Sequence, residues 1–144
     1  MRFRDRILIL RRKNQLLCQF IKLLSGIDRQ VGSPSSFLSI EEGKVTARLE
    51  NSKDYQFVTG ALSGQILMSV IDTVMSIAMN TSTKSQRGTL SQNNNFIRPA
   101  LGDYFIIESE VQRFGSTIAI GETKVYSENK REVLCHATST YPLK

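Results

Sequence analysis

Gly64–Asn80 reads GQILMSVIDTVMSIAMN, and the reading of this stretch decides the fold. It has no proline and no glycine after its first residue, and it is long enough for four turns, so the pattern predicts a helix. Apolar side chains occupy nearly every face. The exception is one line of Gln65, Ser69, Asp72, Ser76 and Asn80, whose spacings of four, three, four and four hold them on a single side. Surface helices ordinarily mix in Lys and Glu, and this one has neither, so burial on most sides is expected. Gln, Ser, Asp and Asn recur too often for a membrane span.

Asp72 is the only charged residue between Val58 and Thr83. A carboxylate surrounded by hydrocarbon loses hydration and must find partners or react, which makes Asp72 the first candidate for chemistry. The polar line has two readings. It is either a stripe facing water or the wall of a cleft with Asp72 as its working group.

The rest of the composition narrows the function classes. A chain of 144 residues with 40% hydrophobic content fits one compact core, divided here into a basic N-terminal extension and helix at 1–30 and a single domain at 31–144. Residues 1 to 13 carry +5 of the net +6, so the domain itself is nearly neutral and no nucleic-acid partner is expected of its folded face. Two cysteines, Cys18 and Cys135, and one histidine, His136, are too few for a zinc site and show no pairing framework. Reduced thiols, a cytoplasmic location and no metal follow.

Before the central helix, NQLLCQFIKLL at Asn14–Leu24 has helical spacing, a Gly- and Ser-rich loop follows, and Phe37–Ile40 and Val45–Glu50 read as a strand pair. After it the period falls to two. Thr89–Ile97, Asp103–Arg113, Ser116–Tyr126 and Glu132–Tyr141 are strand candidates, the last three joined as antiparallel hairpins. The expected class is α+β, an antiparallel sheet wrapped around one long central helix. A single sheet covers one side of such a helix, so the surplus apolar surface predicts a second copy of the chain related by a two-fold axis.

The run TGALSGQILMSVIDTVMSIA at Thr59–Ala78, then TLSQNNNFIRPALGD at Thr89–Asp103, and the closing HATSTYPL resemble the small hotdog-fold acyl-CoA thioesterases of the phenylacetate-degradation (PaaI-like) type. The resemblance spans roughly residues 37 to 142 and implies a hotdog fold, a dimer often paired into a tetramer, and hydrolysis of acyl-coenzyme A without a cofactor, coenzyme A being part of the substrate. It further implies that Asp72 is general base or nucleophile, that the Gly64 N–H polarises the thioester carbonyl, and that Thr89 places the water. Many relatives carry His-Gly-Gly at the turn before the helix, with an Asn several residues earlier. Here Ser63, Gly64 and Gln65 form the turn and the earlier position falls on Phe57.

Physical chemistry makes those roles sensible, because a helix N-terminus offers unpaired N–H groups to an oxyanion. Gln65 could lend an amide N–H to the same carbonyl. Asparagine is depleted on strands, so one of Asn93, Asn94 and Asn95 is expected at the cleft, and Asn95 is the candidate, with Ser63, for substrate contact. Arg98 and Arg113 suit the phosphates of coenzyme A. A lone His136 on a strand reads as structural, which disfavours acyl-thioester hydration. The alternative to an enzyme is a protein of the same fold that binds acyl thioesters without turnover.

Overall fold

The structure, a computed structural model, describes residues 37–82, 84–129 and 131–144. The helix expected at 14–24, the basic arm and Cys18 lie outside the described residues. Strand β1 (Phe37–Glu41) turns at Gly43 into β2 (Lys44–Glu50), and a short 3-10 turn (Lys53–Tyr55) leads to α1 (Gly64–Met79). Four strands follow: β3 (Ser91–Phe96), β4 (Tyr104–Phe114), β5 (Ile118–Ser127) and β6 (Val133–Pro142). All the pairings are antiparallel, and one six-stranded sheet runs in the order β1-β2-β4-β5-β6-β3.

That order places α1. The chain leaves β2 on one side of the sheet and re-enters as β3 at the opposite edge, so the helix between them must cross beneath β4, β5 and β6. A twisted sheet curls around it, which is the expected hotdog architecture. The β4–β5–β6 meander matches the hairpins read from the period-two pattern, shifted by one or two residues.

Alternation decides which residues face the helix. Val45, Ala47 and Leu49 on β2, Phe105 and Ile107 on β4, and Cys135, Ala137 and Tyr141 on β6 are buried against Leu67, Ile71, Val74, Met75 and Met79 of α1. Each large side chain so enclosed stabilises the fold by roughly 1.5–3 kcal/mol. Small inward residues let the helix sit close. A Cβ on Gly121 would collide with Sδ and Cε of Met75, so the bare backbone there is the socket for that side chain. Two inward hydroxyls satisfy each other, Ser109 Oγ and Thr123 Oγ1 lying 2.7 Å apart.

Candidate active site

The lead-in to α1 is tied down by backbone and amide bonds. Asn51 Nδ2 donates to the carbonyls of Gly60 (3.1 Å) and Gly102 (2.7 Å), Leu62 N–H bonds to Ala100 O (2.9 Å) and Ser63 N–H to Tyr55 O (2.9 Å). The helix therefore starts at a fixed point, with Ser63 as N-cap and Gly64 as its first residue. The Ser63 hydroxyl makes no capping bond, which leaves the first-turn amides without a side-chain acceptor. On Gly64 the tip of the Phe96 ring lies 3.3 Å from where a Cβ would be, so this glycine admits an aromatic ring against the helix start. Phe96 itself is half exposed.

Along the polar line the environment grades from open to enclosed: Gln65 and Ser69 are exposed, while Asp72, Ser76 and Asn80 are half-buried. Asn80 and Ser76 have structural bonds here, Asn80 Nδ2 donating to the Ser76 carbonyl at 2.8 Å to close the helix C-terminus. Asp72 is the centre of a hydroxyl cluster. Thr89 Oγ1 donates to Asp72 Oδ1 at 2.5 Å, and the Tyr141 hydroxyl reaches the same oxygen at 3.1 Å and Ser76 Oγ at 3.0 Å. Among the described residues Asp72 Oδ2 has no hydrogen-bond partner.

Burial pushes the Tyr141 phenol up to about 12; the hydroxyls of Ser76 and Thr89 pull it partly back, and the Asp72 charge adds to the rise. Tyr141 is therefore a protonated donor at any working pH. Nearby, Gln92 on β3 donates from Nε2 to the Met68 carbonyl (3.1 Å) and to Asn94 Oδ1 (3.0 Å), pinning the sheet edge to the middle of the helix.

The residues singled out from the sequence fall into separate places. Asp72 and Thr89 meet directly. Ser63, Gly64 and Gln65 form the helix start, and Gln65 makes no side-chain hydrogen bond among the described residues. Gly64 and Asp72, eight residues apart on one helix, stand about 12 Å from each other. Asn95 pairs with His136 on the sheet face turned away from the helix, whereas Asn94 and Gln92 face it. Arg98 donates Nη1 to the Val133 carbonyl at 3.2 Å, near the helix start. Arg113 is at the other end: its neighbour Val111 bonds to Gly43 O, and Gly43 N–H to Thr81 Oγ1 beyond the helix C-terminus. Within one chain the two arginines do not converge on one anion.

Tyr141 was not singled out from the sequence, although a signal exists. Positions 135, 137, 139 and 141 share the inward face of β6, and a tyrosine buried there needs a partner for its hydroxyl. His136 is occupied on the outer face, its Nε2 lying 2.6 Å from Glu122 Oε1. That contact, helped by Lys124, holds the Glu122 carboxyl below its ordinary value against the opposing effect of partial burial. Among the described residues no group of His, Cys, Asp and Glu could hold a metal, and no helix is long and apolar enough to cross a membrane.

A sequence model of the thioesterase superfamily matches residues 59–134, which include the helix, Asp72, Thr89 and most of the sheet. The chain belongs to that superfamily. No curated protein matches it. Among solved structures, a Streptococcus mutans protein bound to acetyl-CoA superposes on this thioesterase-superfamily chain with a TM-score of 0.71 at 19% identity, covering 80% of this chain and 92% of that one. A hypothetical thioesterase protein with coenzyme A from Streptococcus pneumoniae gives 0.70 at 17% identity, with 76% and 84% covered. Two further structures of the pneumococcal protein carry an aspartate-to-alanine and a threonine-to-alanine change. The Escherichia coli PaaI protein from the phenylacetic acid degradation operon gives 0.70 at 14% identity, with 76% and 78% covered. At these identities the superpositions speak for the hotdog fold alone.

Proposed function

We propose that the protein hydrolyses acyl-coenzyme A thioesters to the free acid and coenzyme A, with Asp72 as general base or nucleophile. The observation that carries this reading is the half-buried Asp72 carboxylate, held through one oxygen by Thr89 and Tyr141 while the other has no partner among the described residues. Superfamily membership supports the reaction class. The coenzyme A and acetyl-CoA in two neighbours support the substrate class, and the aspartate and threonine replaced in the pneumococcal protein are the residue types that meet here.

In the base mechanism Asp72 takes a proton from water as the water oxygen bonds to the thioester carbon. Negative charge moves to the carbonyl oxygen, which the Gly64 N–H receives at a helix N-terminus. The C–S bond then breaks, and the thiolate recovers the proton from Asp72. Thr89 donates its one proton to Asp72, so it contacts the water only as an acceptor.

Twelve ångströms of helix separate the acid from the amide of the same chain, so one thioester cannot touch both. The reading therefore includes a two-fold homodimer, the Gly64 of one copy facing the Asp72 of the other, with pairing into a tetramer compatible. The outer edge of β3, unpaired among the described residues, and the exposed Phe57, Val58, Met68, Leu90, Phe96 and Ile97 are the surface such a copy would cover. Buried, unpaired Cys135 is in keeping with a reducing, cytoplasmic setting.

A second reading, acyl-thioester binding without turnover, is favoured by the helix start, where Ser63, Gly64 and Gln65 stand in place of the family's His-Gly-Gly turn. Thiol release from short, medium, long and aryl acyl-CoA substrates separates the two. Turnover that falls by roughly 10²- to 10⁴-fold in Asp72→Asn supports hydrolysis. Binding with no turnover on any substrate supports the alternative.

A further inference from the structure

The Asp72 cluster carries an inference that rests on the proposed hydrolysis and goes one residue further. We infer that Tyr141 is the positioning residue of the reaction: its hydroxyl fixes the Asp72 carboxylate with Oδ1 turned into the protein, so that Oδ2 is the oxygen that meets the water.

The geometry assigns the direction of every proton. Tyr141 has one hydroxyl proton, and around it lie Asp72 Oδ1 at 3.1 Å, the Asp72 carbonyl at 3.4 Å and Ser76 Oγ at 3.0 Å, with the Thr89 hydroxyl, whose own proton goes to Asp72, also close by. The charged oxygen is the strongest acceptor, and the Asp72 carbonyl is the longest contact, so the phenol donates to Oδ1. Its lone pair is then free to accept the Ser76 proton. Ser76 donates to Tyr141, Tyr141 to Asp72, and Thr89 to the same Asp72 oxygen, so the bonds polarise one another.

Two donors on one oxygen define a carboxylate plane, where one donor would leave it free to turn. Thr89 precedes β3 and approaches from the sheet edge. Tyr141, with no exposed surface, approaches from the rigid inward face of β6. An acid aligned in this way loses little freedom when water and thioester arrive, and small misplacements of such a group are costly. Tyr141 acts only through Asp72 and has no contact with substrate in this scheme.

The experiment is Tyr141→Phe in the full chain, which keeps the ring and removes the donor, with kcat and KM read separately on an acyl-CoA that the wild type hydrolyses. Expected is a fall in kcat of about tenfold with KM unchanged, and no further fall when the change is added to Asp72→Ala, because the tyrosine acts through that carboxylate. In a crystal structure of Tyr141→Phe the Asp72 carboxylate should rotate or split into two conformers. Ser76→Ala, which leaves the buried ring in place, gives a smaller loss of the same kind and serves if the phenylalanine chain does not fold. The inference is overturned by an undisturbed Asp72 conformer with unchanged kcat, by a loss confined to KM, or by an undiminished effect in the Asp72→Ala background. A wild type without turnover would refute the proposed hydrolysis, yet the Asp72 conformer would still decide the role of Tyr141.

Discussion

Gly64 and Asp72 share one helix and stand about two turns apart, too far for a single carbonyl group to touch both. If the thioester is held between two copies, inactive chains should repair each other. Gly64→Pro removes the amide N–H at a helical position whose backbone tolerates proline, and the extended Ser63 (ψ 135°) suits a residue preceding it, although the half-exposed Phe96 ring must move aside for the added carbons. Refolded together at equal amounts, Gly64→Pro and Asp72→Asn chains should recover about one quarter of wild-type activity. Half of the dimers are mixed, and one of their two sites is intact. No recovery in a mixed dimer demonstrated by mass would place each site within one chain.

Thr89 and Asp72 are joined by a 2.5 Å bond in which the threonine spends its only proton. Thr89→Ser keeps that donor and should retain activity within about threefold, whereas Thr89→Val, equal in shape but without the hydroxyl, should lose about tenfold or more in kcat. Similar rates for serine and valine would remove Thr89 from the site.

Gly121 is expected to be among the least tolerant positions of the sheet. Alanine there pushes the fully buried Met75 side chain from its socket, and overpacking of this kind costs about 1–3 kcal/mol. Denaturant unfolding of Gly121→Ala measures it. Combined with Met75→Ala, the change should cost less than the two single losses added together, because the shortened side chain vacates the space, and strict additivity would mean that the socket is occupied differently.

On the outer sheet face, Glu122 has a carboxyl held below its ordinary value of 4.5, chiefly by its hydrogen bond to His136. A lowered folded-state value means stability that is present above the unfolded value and lost as the pH falls through the folded one. Glu122→Gln should therefore be less stable than wild type near neutrality, with the difference closing as the pH drops below about 4.5. A difference that persists at pH 3 would assign the effect to packing, not charge.

Much of the fold was legible in the residues themselves. The apolar helix with its polar line, the three closing hairpin strands and the turns between them follow from period and punctuation. The edge position of β3 does not follow, because nothing local to Ser91–Phe96 says whether it pairs with β4 or β6. The candidate site was legible in part for the same reason. Asp72 declared itself by isolation, but Tyr141 joins it only through a pairing register that sets residues 69 positions apart side by side. Asn95 shows what composition leaves open: one step along β3 exchanges the helix side for the outer face, where Asn95 lies, and composition alone cannot choose between neighbours.

The anchors of Asp72 lie 17 and 69 residues downstream of it, one before β3 and the other on β6. A chain emerging from the ribosome therefore owns the whole helix long before it owns a steadied acid. Until the C-terminal strand has docked, the carboxylate lacks its Tyr141 partner, and a product cut after β5 would lose that partner together with the strand on which β3 pairs.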